Sequence, residues 1–300
     1  MNVAFATVAN GMRYSKRSRA AAESVTSKVK VWEYNSRLIG ANLNLREKRF
    51  IAHCELEDGE EITAHCPNPG AMKGFGLETK PSVVLTKSTD TKRKLPWTLE
   101  CVKVKDNWVN CNTMLPNRVI AAALRQRAIP ELDDYVSVQS EVKYGTQNSR
   151  VDFVLTSADG VETYLEVKSV TLREDFTENQ PVATFPDCKS TRGKKHMEEL
   201  REICQKKNKK SVVLLFVNRT DVNAFAPSNL DPDYKRAFYD AVASGVKPLP
   251  YVFETDPETG EVFLYGQTLP VLEEHQTPEL QKKQKPSRKR STRVNKKKEK

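Results

Sequence analysis

Hydrophobic and polar residues alternate in short runs over the first third of the chain, and turn-forming residues separate these runs. Strands are predicted over residues 49–56, 61–66, 83–86, 97–104 and 108–112. Short runs with frequent turns are typical of a small β-barrel, in which each strand buries one face. The pattern therefore predicts a barrel domain over residues 31–112.

Longer elements follow from residue 113. Helices are predicted over 116–128, 190–207 and 231–245, and strands over 136–144, 150–157, 161–168, 211–217, 250–254 and 262–266. The run Ser211–Val217 is apolar on both faces, which indicates a central strand covered on both sides. Residues 169–184 are predicted to form a loop. The order helix, three strands, helix, strand predicts a mixed α/β domain over residues 113–272.

The hairpin in this domain carries an unusual set of charges. Apolar residues alternate with Asp152 in its first strand, and with Glu166 and Lys168 in its second. A two-residue turn at 159–160 would place the two acids on opposite faces, because a slip of one residue inverts every side chain. A three-residue turn over 158–160, ending in a left-handed glycine, would set Asp152 across from Glu166.

In the second register the two β-carbons would lie about 5 Å apart. Carboxylates this close repel each other unless a cation, or Lys168, compensates their charge. Both carboxylates could then hold one divalent cation. The hairpin is therefore a candidate metal site.

The spacing of Asp152 and then Glu166-x-Lys168 on the next strand resembles the active-site signature of the PD-(D/E)xK nuclease superfamily. Further motifs are Cys66-Pro-Asn68, Leu115-Pro-Asn117, Glu141-Val-Lys-Tyr-Gly145, Phe185-Pro-Asp187, and Arg192-Gly193 followed by Lys195-His196. In this order they resemble the sugar fermentation stimulation protein A (SfsA) family over about residues 38–271.

The resemblance implies a DNA-binding protein with an OB-like N-terminal barrel and a nuclease-like C-terminal domain. As an enzyme, it would hold Mg²⁺ or Mn²⁺ with Asp152, Glu166 and the carbonyl of Val167, while Lys168 positions water or the phosphoryl group. Glu141 would complete the acidic cluster, or alternatively form a salt bridge at the strand edge. The competing interpretation is a DNA-binding or regulatory protein that retains this core without cleaving. In a third interpretation, the acids have only a structural role and form a charged network on the protein surface.

Candidate DNA contacts lie in both domains. They are Asn68 in a turn-rich loop, the basic cluster Lys92, Arg93 and Lys94 beside the aromatic Trp97, and Arg192, Lys195 and His196 at the start of a helix. Loop amides, basic residues beside aromatics and helix N-termini all suit phosphate or bases. Alternatively, the basic cluster over residues 92–94 is a solvated run of charges, and the residues at the start of the helix only cap it.

The net charge of +10 is concentrated at the chain ends. Residues 276–300 carry 11 Lys and Arg against two Glu, residues 1–22 carry four Lys and Arg without an acid, and the remainder is −3. Residues 1–30 have the composition of a transit peptide or of a disordered leader. Residues 273–300 are predicted to be a disordered tail that acts as a nuclear import signal or contacts phosphates.

The longest apolar run, Val212–Val217, is too short to span a bilayer, so no membrane association is expected. The six cysteines form no Cys-x-x-Cys pair, and a secretory signal is lacking. The sequence therefore predicts an intracellular protein of the nucleus or an organelle. Its expected partner is DNA, which it would bind mainly without sequence preference. The sequence is compatible with a monomer or a homodimer.

Overall fold

The computed structural model describes residues 27–144 and 149–278. The first domain contains strands β2 (Ile39–Glu47), β3 (Ile51–Leu56), β4 (Glu61–His65), β5 (Ser82–Lys87), β6 (Trp97–Val104) and β7 (Asn107–Asn110). Strands β4, β3, β2, β5 and β6 pair in that order, and a parallel pairing of β4 with β6 closes the ring. The predicted OB-like domain is thus a closed five-stranded barrel, which β7 extends through β6.

Apolar side chains, which alternate with polar ones along each strand, point inward and fill this barrel. Leu43, Leu85 and Leu99 are completely buried, and they come from three different strands of the ring. Burying a side chain of this size contributes about 1.5–3 kcal/mol, so the inward faces hold the barrel closed.

The second domain is built on a mixed seven-stranded sheet. Its strands are β1 (Lys28–Glu33), β8 (Ser137–Tyr144), β9 (Ser149–Thr156), β10 (Glu162–Val170), β13 (Lys209–Val217), β15 (Lys247–Thr255) and β16 (Glu261–Thr268). They lie in the order β1-β16-β15-β13-β10-β9-β8. β13 pairs in parallel with β10 and β15, and its apolar residues are buried, so the predicted central strand is confirmed.

Three helices cover this sheet. They are α1 (Leu115–Arg125), α2 (Thr191–Cys204) and α3 (Pro232–Ala243). α1 packs on the face that carries Phe153 and Leu165, whereas α2 and α3 pack on the face that carries Val154 and Val213. Ser190 caps α2 by accepting a hydrogen bond from the backbone of Gly193. None of the described helices is long and apolar enough to cross a bilayer.

Residues 169–184 are not a loop, and that prediction is wrong. β10 continues to Val170, and β11 (Leu172–Thr177) and β12 (Gln180–Phe185) form a hairpin. β12 then pairs with β14 (Ala224–Pro227) in a separate three-stranded sheet. β11 lies at the edge of this small sheet, where charged side chains can reach solvent, and it carries three consecutive charged residues. Because such a run does not alternate between apolar and polar residues, the sequence pattern did not indicate a strand.

Both outer domain boundaries also need correction. β1 pairs with β16, so residues 31–33 belong to the second domain's sheet and not to the barrel. Residues 274–276 form a short 3-10 helix, and Thr277 is buried against Lys235, so residues 274–277 are ordered and do not belong to the predicted disordered tail. Residues 1–26 and 279–300, on which the targeting predictions rest, lie outside the described residues.

The two domains meet beside the N-terminus of α2. The loop over residues 66–72 leaves the barrel after β4, and the backbone N–H of Met72 donates to Asp187 Oδ2 at 2.8 Å. Asp187 lies three residues before Ser190. On another part of the interface, the Thr220 hydroxyl donates to Asn107 Oδ1 at 2.5 Å. The barrel loop is therefore fixed directly to the segment that begins α2.

Candidate metal and nucleic-acid site

The hairpin of β9 and β10 has the three-residue turn. Ser157 N–H donates to the Val161 carbonyl at 3.0 Å, and Gly160 has a φ of +80°. The strand pairs run from Thr156–Glu162 to Phe153–Leu165. These pairs follow the second of the two predicted registers, which one further step would extend to Asp152 and Glu166.

The ladder opens at the pair that carries the acids. A regular continuation would pair Val167 with Val151, but the backbone N–H of Val167 donates instead to Asp152 Oδ2 at 2.7 Å. The other oxygen, Asp152 Oδ1, accepts a hydrogen bond of 2.7 Å from Asn117 Nδ2 on α1. One donor on each oxygen fixes the orientation of the Asp152 carboxylate.

Glu166 is buried, with 3% of its surface exposed. Its Oε1 atom lies 2.6 Å from Lys168 Nζ and also contacts His196 Nδ1 on α2. Its Oε2 atom is buried and lacks a hydrogen-bond partner among the described residues. On the far side of the imidazole, Arg192 Nε donates to His196 Nε2 at 3.4 Å, whereas His196 Nδ1 faces both Glu166 Oε1 and Lys168 Nζ.

The two acids have opposite electrostatic environments. Burial and the negative charge of Glu166 raise the pKa of Asp152 to about 6. Burial also opposes ionisation of Glu166, but the charge of Lys168 and the contact with His196 outweigh it and lower the pKa of Glu166 below its ordinary value. Near neutral pH both groups are therefore carboxylates, and Asp152 is the one that titrates first on acidification.

These residues fit a divalent cation. The buried Glu166 Oε2 has no hydrogen-bond donor within the described ranges, and each Asp152 oxygen accepts one hydrogen bond, so both acids retain capacity as oxygen ligands. Hard cations such as Mg²⁺, Mn²⁺ and Ca²⁺ prefer such ligands, and Mg²⁺ usually keeps several waters beside one or two carboxylates. Within the described part of the chain, no group of three or more His, Cys, Asp or Glu side chains is arranged to hold a metal.

Glu141 does not join the two acids, and this corrects the predicted three-carboxylate cluster. The register of β8 places it across from Asp152, but its φ of +54° is left-handed and its side chain is exposed. It lines instead an open cleft of about 530 Å³.

The same cleft brings together cationic residues from β9 and α2. Arg150, Arg192 and Lys195 line it beside His196. Two of the predicted DNA contacts, Arg192 and Lys195, therefore lie where a phosphate could reach them, and sequence reasoning missed Arg150. His196 is only 4% exposed and contacts Glu166 and Lys168, so its position in the acid cluster replaces the predicted surface contact.

The predicted contacts in the barrel divide into exposed and buried residues. Lys92, Arg93 and Lys94 are exposed, and Arg93 donates to Thr98 Oγ1 at 2.7 Å. Trp97 is 7% exposed because it pairs with strands on both sides inside the barrel, so it offers no face for base stacking.

Asn68 is also buried. Its Nδ2 atom donates to the Cys111 carbonyl at 3.0 Å and its Oδ1 atom accepts from Gly70 N–H at 2.8 Å. The side chain therefore holds the loop to the barrel. The Asn68 side chain thus has a structural role, and the contact of the loop amides with phosphate stays a prediction.

Comparison with known proteins identifies both domains. Residues 45–111 match the family model described as the SfsA N-terminal OB domain, and residues 114–259 match the sugar fermentation stimulation protein RE domain. A sugar fermentation stimulation protein homolog from Cyanothece sp. is 45% identical over 76% of this chain and 93% of its own length. The chain belongs to the SfsA family.

Other SfsA relatives agree. The homolog from Gloeobacter violaceus is 42% identical over 74% of this chain and 91% of its own length. The structure of Pyrococcus furiosus SfsA in complex with Ca²⁺ superimposes with a TM-score of 0.71 at 22% identity, over 81% of this chain and 99% of that one. The SfsA fold therefore accounts for both domains and for their order.

Proposed function

We propose that this SfsA protein binds DNA and hydrolyses phosphodiester bonds with the help of a divalent cation held by Asp152 and Glu166. The observation that carries the proposal is the buried Glu166 Oε2 atom, which has no hydrogen-bond donor among the described residues. On the neighbouring strand, two hydrogen bonds fix the carboxylate of Asp152. The Ca²⁺ in the structure of the P. furiosus relative supports a divalent ion. Mg²⁺ or Mn²⁺ and the carbonyl of Val167 complete the proposed site.

The side chains around the acids suit a phosphodiester substrate. Arg150, Arg192 and Lys195 would bind phosphate oxygens in the cleft, and Lys168 would contact the phosphoryl group or orient the attacking water. His196 would keep Lys168 and Glu166 in place. A bound divalent cation would lower the pKa of a water molecule and stabilise the negative charge on the phosphate.

One observation favours the alternative, a protein that binds DNA without cleaving it. Lys168 already compensates the charge of Glu166 and His196 contacts the same oxygen atom, so the acid is tolerated inside the fold without an ion. In that case the cationic cleft would bind the DNA backbone and the acids would have a structural role.

Nicking of supercoiled plasmid distinguishes these two functions. Purified full-length protein is incubated with plasmid in Mg²⁺, Mn²⁺, Ca²⁺ or EDTA, beside an Asp152→Asn variant prepared identically. The proposal expects relaxed and linear products in Mg²⁺ or Mn²⁺ only, and none from the variant. Retarded plasmid without products in any ion would establish the binding-only alternative.

Asn117 gives a further prediction for the same site. Asn117→Ala removes the hydrogen bond to Asp152 Oδ1 and leaves the carboxylate held on one side only. Loss of a group that orients a metal ligand typically costs 10–100-fold in metal affinity, so calorimetric titration with Mn²⁺ should show a decrease of about that size. Asn223→Ala, on the exposed loop before β14, is the control. An Asn117→Ala protein with wild-type affinity would contradict the orienting role.

A further inference from the structure

The tip of the β2–β3 hairpin exposes apolar side chains on the barrel. Phe50 is 47% exposed and Leu45 is 57% exposed. Leu43, two positions before Leu45, is fully buried, and a register shift between them turns Leu45 outward. An aromatic ring and an aliphatic chain are therefore both exposed on this hairpin.

The turn between these residues is cationic. Lys48 and Arg49 have φ values of +49° and +67°, the left-handed conformation of a tight turn. The Lys48 side chain is 80% exposed, and its contact is with Glu47 at 3.2 Å. An exposed pair of this kind is worth about 0–1 kcal/mol, so Lys48 can exchange it for a phosphate.

Arginine side chains hold this tip rigidly. Arg46 Nη2 donates to the carbonyls of Asn68 and Gly70 at 2.7 and 3.1 Å. Arg46 Nε donates to the Arg49 carbonyl at 2.9 Å, and Arg49 Nη1 donates to the Pro69 carbonyl at 3.2 Å. A surface fixed in advance loses little conformational entropy when it binds a ligand.

The same loop links the tip to the cleft. Met72, at the end of the loop over residues 66–72, donates its N–H to Asp187 at 2.8 Å. Asp187 lies shortly before the cap of α2, whose first turns carry Arg192 and Lys195. The loop over residues 66–72 thus contacts the β2–β3 tip through Arg46 and Arg49, and the segment before α2 through Asp187.

We propose that the β2–β3 tip stacks on an unpaired base of a single-stranded DNA segment whose backbone continues into the cleft. The inference rests on the proposed function, because that function includes the binding of DNA in the cleft. Aromatic faces bind bases of any sequence when these are unstacked, whereas base faces inside a duplex are covered by their neighbours. Lys48 and Arg49 complement the phosphates on both sides of such a base. The preferred substrate is therefore DNA with a single-stranded end or gap.

Fluorescence anisotropy in EDTA tests this without cleavage. Full-length wild type, Phe50→Ala and Phe50→Trp are titrated against a labelled single strand and against a blunt duplex of the same sequence. Stacking contributes about 5- to 160-fold in affinity per base, so Phe50→Ala should lose that much on the single strand and less than about twofold on the duplex. Phe50→Trp should retain single-strand binding.

Val29→Ala is the matched control, because Val29 is 48% exposed on β1, at the sheet edge opposite β8. It should bind both DNAs as the wild type does. Wild-type affinity of Phe50→Ala for the single strand, or an equal loss on both DNAs, would overturn the proposal. A changed oligomeric state with unchanged DNA binding would also overturn it and identify a protein contact. Plasmid nicking by wild type and not by Asp152→Asn reports on the proposed function separately.

Discussion

Asp152→Asn should abolish DNA cleavage, with a loss of at least about 10³-fold in rate, because it removes one of the two proposed anionic metal ligands. Metal ions contribute several kcal/mol of charge stabilisation in such reactions. DNA affinity should change little, since Arg150, Arg192 and Lys195 are unaltered. Plasmid nicking and anisotropy on the same preparation measure the two quantities. Full activity in a pure Asp152→Asn preparation would remove Asp152 from the catalytic site.

The fold should accept this substitution. The amide that replaces the Asp152 carboxylate can keep the hydrogen bond from Val167 N–H through its oxygen atom. Its nitrogen atom can donate to Asn117 if the Asn117 amide turns over, because an amide offers both a donor and an acceptor. Loss of activity would therefore report on the metal ligand and not on unfolding, which thermal melting checks.

Metal-free Asp152→Asn should in fact be more stable than wild type at high pH. The pKa of Asp152 is raised to about 6, against about 3.9 in an unfolded chain. Below the lower value the carboxyl is neutral in both states and has no effect. As the pH rises from about 4 through about 6, the unfolded chain is ionised while the folded carboxyl stays protonated, so the folded state loses stability until the buried charge has formed. Denaturation in EDTA should show a gain of about 1–3 kcal/mol at pH 8 that disappears near pH 4.

Lys168→Met should lower kcat by about 10²–10³-fold and leave divalent affinity within a few fold, since one positioned cation at a reacting phosphate is worth that much. Met keeps most of the volume of the side chain, which is 11% exposed beside Glu166. Single-turnover cleavage at saturating protein separates the chemical step from DNA binding.

The control for this variant is Lys194→Met. Lys194 is 44% exposed on α2 and contacts Glu198 at 3.7 Å, away from the acids. It should cleave at the wild-type rate. If Lys168→Met also cleaved at that rate, Lys168 would have only a structural role with Glu166.

Local sequence signals were sufficient for the turn of the β9–β10 hairpin. A glycine able to adopt a left-handed φ at position 160 selects the three-residue turn, and the strand pairs from Thr156–Glu162 to Phe153–Leu165 follow from it. That Asp152 and Glu166 share one ion stays a prediction. The caps at Ser190 and Asp231 likewise mark the starts of α2 and α3. These features depend on residues close together in the chain.

Contacts between distant residues could not be predicted in this way. β1 pairs with β16 more than 200 residues later, and no local pattern distinguishes that partner from a barrel strand. The buried environment of His196 and the bond from Asn117 to Asp152 depend on how α2 and α1 pack on opposite faces of the sheet. A motif can indicate these residues, but only packing determines what they contact.

The most direct test of the account is the position of a bound ion. Crystals of the full-length protein soaked in Mn²⁺ and measured near the manganese edge should show one anomalous peak within about 2–2.6 Å of an oxygen of Asp152 and of Glu166 Oε2. The peak should be absent from Asp152→Asn crystals soaked identically. A peak elsewhere, or none in wild type at Mn²⁺ concentrations that support cleavage, would contradict the proposed site.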